Sequence, residues 1–67
     1  MTLFINSEAT DVASSFTIED LLEQFHLAQV KGLAIAVNDM VLPKSEWQSH
    51  VFEENDHVTL IRASQGG

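Results

Sequence analysis

Ile18, Leu21, Leu22 and Phe25 recur at i, i+3, i+4 and i+7 within "SSFTIEDLLEQFH", which sets four apolar side chains on one helical face and turns Glu19, Glu23 and Gln24 away from it. The start of this helix is also written locally. Thr17 and Asp20 have the spacing of a capping box, Phe16 and Leu21 that of a hydrophobic staple, and Glu19 and Asp20 complement the positive end of the helix dipole. Elsewhere the period changes from 3.6 to 2. In "LAIAVN", Leu33, Ile35 and Val37 alternate with Ala34, Ala36 and Asn38; in "HVTLIRA", Val58 and Leu60 alternate with Thr59, Ile61 and Ala63. Both segments read as strands. Residues 2–5 are β-prone, and "NSEA" supplies turn chemistry at Asn6 and Ser7, predicting a hairpin into "TDVAS".

Asn38-Asp39 is a turn dipeptide leading into a short strand, "MVL", which Pro43 ends because it has no N–H to give a ladder. Ser45, Glu46 and Trp47 are expected to form a single turn, and Trp47 with Val41, Leu42 and Val51 a satellite hydrophobic cluster. Gly32 reads as the break between the helical segment and the next strand. "FEENDH" reads as a polar loop in which Asn55 takes a left-handed conformation. The resulting order is strand, strand, helix, strand, short strand, loop, strand: an α+β fold with a mixed sheet of four to five strands and one helix across one face. The other face then has no cover, so Ile61 and Ala63 on the last strand are candidate docking residues.

At 67 residues the chain fits one domain with a small core and no deep cleft. It contains no cysteine, which excludes disulfides, thiolate metal sites and any side chain that could carry sulfur or an acyl group as a thiol derivative. Ten acidic residues against three basic ones give a formal charge of -7. Such a field repels nucleic acid and anionic lipid and attracts a partner with a basic face. "MTLFINSEA" lacks the basic n-region of a signal peptide and no apolar run is long enough to span a membrane, so a cytoplasmic location is expected.

The side chains offer little catalytic chemistry. His26, His50 and His57 are scattered without a zinc-binding spacing, and structural or solvent roles are expected for them, one at the helix end. Glu53, Glu54 and Asp56 lack the pattern of a calcium loop and read as a solvated charge run. What remains is "ASQGG". Gly66 and Gly67 have no Cβ, so this tail can thread a channel too narrow for other residues and present a carboxylate without a neighbouring side chain. That carboxylate is ionised at neutral pH and a poor electrophile; ATP could activate it by adenylation.

Nearly the whole chain resembles the ThiS family of bacterial sulfur carriers. The likeness runs through "LFINSEA", "FTIEDLLEQF", "GLAIAVNDMVLPKSEW" and "ENDHVTLIRASQGG", with "AVN…VLPKSEW" the most discriminating segment. Two positions depart from the family pattern, Asp39 and Asn55, where relatives often have Gly. The resemblance implies a ubiquitin-like β-grasp domain over residues 1–63 and a flexible tail over residues 64–67. It also implies a carrier, not an enzyme, that binds no cofactor or metal of its own. An E1-like adenylating enzyme of the ThiF type uses Mg-ATP to adenylate Gly67, and a persulfide sulfur donor then yields a thiocarboxylate. Thiazole synthase of the ThiG type receives the sulfur for thiamin. In this scheme Gly66, Gln65 and Ser64 thread the tail into partner active sites, and the open sheet face and the acidic surface dock the activating enzyme. A carrier for molybdopterin or another acceptor, and a noncovalent ubiquitin-like interaction module, are the alternatives.

Overall fold

The computed structural model describes residues 1–62. Five strands and one α-helix occur among them: β1 (Thr2–Ile5), β2 (Glu8–Asp11), α1 (Ile18–Gln24), β3 (Leu33–Val37), β4 (Met40–Leu42) and β5 (His57–Arg62). A 3-10 turn spans Lys44–Glu46. The sheet order is β2-β1-β5-β3-β4, with β1 and β5 parallel and every other pair antiparallel. The last strand therefore lies at the centre, and the architecture is a mixed sheet with one helix, as the alternation of periods predicts.

Local sequence explains the turns. Asn6 and Ser7 have φ of 50° and 70°, and Asn38 and Asp39 have 51° and 69°. Each pair joins two strands through two left-handed residues, the form that follows the right-handed twist of a hairpin. The first reversal is thus tighter than the four-residue "NSEA" suggests, because Glu8 and Ala9 already pair with Ile5 and Phe4. Asn55, at φ 67°, takes the left-handed conformation expected of it, and Gly32, at 74°, makes the break before β3. Asp39 and Asn55 thus supply the backbone geometry that a glycine adopts freely.

The cap of α1 is complete. The Asp20 N–H donates to Thr17 Oγ1 at 3.1 Å, and the Thr17 N–H donates to Asp20 Oδ2 at 3.0 Å. Its far end closes in a Schellman motif: the Leu27 N–H donates to Leu22 O at 2.7 Å and the His26 N–H to Glu23 O at 3.1 Å. His26 occupies the left-handed position, φ 58°, where glycine is usual. The helical face departs from expectation at its last member. Ile18 and Leu21 are fully buried and Leu22 packs at the margin, but Phe25, the C-cap, stays 38% exposed at the wall of a surface groove.

The core joins Leu3 and Ile5 of β1, Ile18 and Leu21 of α1, Ile35 of β3, Val58 of β5, and Phe52. Phe52 corrects the reading of "FEENDH" as wholly polar. It is buried, its ring centroid lies 6.2 Å from that of Phe16 and 4.9 Å from that of His50, the latter pair being T-shaped. Asp56 corrects the same segment: Glu53 and Glu54 are exposed, but the Asp56 carboxylate is buried and accepts from Asn38 Nδ2 at 2.9 Å and the Glu53 N–H at 2.8 Å. Asn38 Oδ1 in turn accepts the His57 N–H. The expected satellite cluster does not form. Trp47 donates to Leu42 O at 3.0 Å and both pack on the main core, while Val41 and Val51 face solvent. Val41 pairs with Ala36 on the uncovered side of the sheet, out of reach of the core.

Candidate functional site

Strand register decides what each face offers. Phe4 pairs with Ala9 and with His57, Ala34 with Ile61, and Ala36 with Thr59 and Val41, so these side chains share the face opposite α1. Phe4 and His57 stack with centroids 4.7 Å apart and planes 15° from parallel. Ile61 lies on this face and is exposed, as its candidate docking role requires. Ala63, Ser64, Gln65, Gly66 and Gly67 lie outside the described residues, as do the expected limits of the tail.

Acidity and the open face coincide only in part. Asp11 and His57 are the titratable strand residues on that face. Asp11, together with Asp39, Glu53, Glu54 and Asp56, makes up half of the chain's ten acidic residues, and these five gather toward the end of the sheet where β5 begins. Arg62 is at the other end of β5, opposite Leu33, and Lys31 precedes Leu33 by two residues. Two of the three basic residues therefore belong to the end from which residues 63–67 follow. Net charge alone gave no hint of this polarity.

Among the described residues no group of three His, Asp or Glu side chains comes close enough to hold a metal ion. His26 closes the helix, His50 packs on Phe52 and His57 on Phe4. Concave surfaces are shallow. One of about 300 Å³ is lined by Asn6, Phe25, Leu27, Leu33, Leu60 and Arg62, at the Arg62 end of the sheet. Among the described residues Arg62 is its sole charged lining residue, and these residues form no pair suited to acid-base work. Sequence periodicity did not single out this groove, because its walls come from four separate elements or turns.

A five-stranded mixed sheet with the last strand central and a single helix across one face defines a small β-grasp domain of the ubiquitin type. The ThiS family model matches residues 3–67, and the chain belongs to the ThiS family. It is 31% identical over 67 residues to the sulfur carrier protein ThiS of Escherichia coli K12, with both chains covered in full. The crystal structure of the thiamine biosynthesis protein ThiS from Geobacter metallireducens has a TM-score of 0.82 at 25% identity, again with both chains fully covered. A solution structure of a Geobacter metallireducens thiamine biosynthesis protein has a TM-score of 0.77 at 25% identity, over all of this chain and 88% of that one. Among the described residues no helix is long and apolar enough to cross a membrane.

Proposed function

We propose that this chain is a sulfur carrier of thiamine biosynthesis that holds sulfur on the carboxyl carbon of Gly67. The observation that carries the reading is the end-to-end correspondence with the Escherichia coli sulfur carrier, joined to a family match that extends to residue 67. The chain's chemistry agrees with it: without cysteine, no side chain can carry sulfur as a thiol derivative. The domain is a carrier and co-substrate, and the enzymes are its partners.

In the first step an E1-like enzyme adenylates Gly67 with Mg-ATP. A carboxylate oxygen attacks the α-phosphorus and pyrophosphate leaves, converting a poor electrophile into an acyl phosphate anhydride. The terminal sulfur of a persulfide donor then attacks the acyl carbon and AMP departs. A thiol cleaves the resulting S–S bond, leaving as a mixed disulfide with the donor sulfur and releasing the thiocarboxylate on Gly67. Thiazole synthase takes up that sulfur. Gly66 gives clearance, and Gln65 and Ser64 span the distance from the sheet to the partner's active site.

Intact-mass measurement after incubation with activating enzyme, Mg-ATP, a persulfide donor and a thiol tests the proposal. The full chain should gain the mass of one sulfur-for-oxygen exchange. A chain lacking Gly67 should gain none while keeping its folded spectrum. A mass shift in the truncated chain, or none in the full one, overturns the reading.

A further inference from the structure

Successive residues of β5 direct their backbone groups to opposite sides. Asn38 donates its N–H to His57 O, which sets His57, Thr59 and Ile61 toward β3. Asn6 donates to Val58 O and Leu60 donates to Asn6 Oδ1 at 2.9 Å, which sets Val58, Leu60 and Arg62 toward β1. But β1 ends at Ile5, and its pairing with β5 stops at Ile5↔Val58. The left-handed backbone of Asn6 turns the chain away into the β1-β2 hairpin, so a side-chain oxygen stands where a strand carbonyl would be. Beyond it, among the described residues, the Leu60 carbonyl and the Arg62 N–H face a side with no strand.

The groove described above lies along this edge. Leu60 and Arg62 form one wall, Asn6, Leu27, Leu33 and the half-exposed Phe25 the rest, and Arg62 brings a positive charge to a chain whose net charge is -7. We infer that the edge of β5 at Leu60 and Arg62, which no other strand of the described residues covers, receives an extended segment of the enzyme that activates Gly67, adding as a strand, with an apolar side chain in the groove and a carboxylate on Arg62. Strand addition to an open edge draws affinity from main-chain hydrogen bonds and selectivity from alternate side chains in pockets. An acidic segment is repelled by the carboxylate-rich opposite end of the sheet and accepted at this one, which fixes the orientation of docking. The added strand grips the carrier at the last residue before residues 63–67. This inference rests on the proposed function and is separate from any docking on the open sheet face.

Amide exchange and kinetics test it together. In the full-length chain the Arg62 amide should exchange rapidly when free and become strongly protected on adding the activating enzyme without ATP. Arg62→Ala removes only the side chain; Arg62→Pro also removes the N–H, which by the register of β5 points away from β3 and so costs the fold no bond of that ladder. For adenylation, R62A should raise the KM for the carrier and R62P should raise it a further 3- to 10-fold or so, the usual worth of one hydrogen bond, with kcat little changed. Equal KM values for the two variants, or an Arg62 amide as exposed in the complex as in the free protein, overturn the inference. If R62P unfolds, amide exchange in the unaltered protein decides the matter. A wild-type chain that still gains sulfur under those outcomes leaves the proposed function standing.

Discussion

On the side of the sheet facing α1, Leu3 and Ile35 are fully buried, whereas on the other side Val41 and Ile61 keep 68% and 48% exposure. The strands are the same; only the cover differs. A helix of seven residues shields one face of a five-stranded sheet, so nearly all the hydrophobic stabilisation lies there and the opposite face contributes little to folding. A chain this small thus leaves a broad weakly polar surface free without losing its fold. The comparison is open to direct attack by substitution on each side.

The largest effect belongs to the covered face. Leu21→Ala should cost about 3 kcal/mol through lost burial and a residual cavity, a large share of the roughly 5 kcal/mol at the low end of small-domain stabilities. Urea unfolding followed by the fluorescence of the single tryptophan, Trp47, reads this directly. Next comes the rim of the sheet. Asp56→Ala strands Asn38 Nδ2 and the Glu53 N–H without their acceptor and should cost about 2 kcal/mol in the same assay. His26→Gly relieves a left-handed non-glycine residue in the Schellman motif, and a gain of about 0.5–1 kcal/mol, seen as a higher Tm, is expected. Ile61→Ser should be the mildest, within about 0.5 kcal/mol of wild type. A loss above about 1 kcal/mol at Ile61 would show that the open face supports the fold after all.

The parts of the molecule legible in the sequence are those decided within a few residues. Thr17 and Asp20 cap one another across three positions, and the turn asparagines Asn6, Asn38 and Asn55 adopt the left-handed region their side chains tolerate. Phe52 and Asp56 escaped that reading because a single apolar residue or carboxylate in a polar loop carries no period. Their burial depends on where the loop returns, against Phe16 for one and against Asn38 for the other. Val41 failed in the opposite sense: its neighbours in sequence are apolar, but register with Ala36 sends it to solvent.

The candidate site divides the same way. Gly66, Gly67 and the missing thiol are properties of the sequence, and so are the segments that carry the ThiS resemblance. Arg62 at a groove, five of the ten acidic residues drawn to the far end of the sheet, and the strand edge left open by Asn6 are not.

The helix and its cap, the two-faced strands and the turns follow from neighbouring residues alone, because dihedral preference and local hydrogen bonding act over a handful of positions. The place of β5, parallel to β1 in the centre of the sheet, emerges only when the chain folds, since alternation assigns side chains to faces but names no neighbours. The bond from the Leu60 N–H to Asn6 spans 54 positions, and such a contact exists only when burial of the whole core has repaid the entropy of closing the chain.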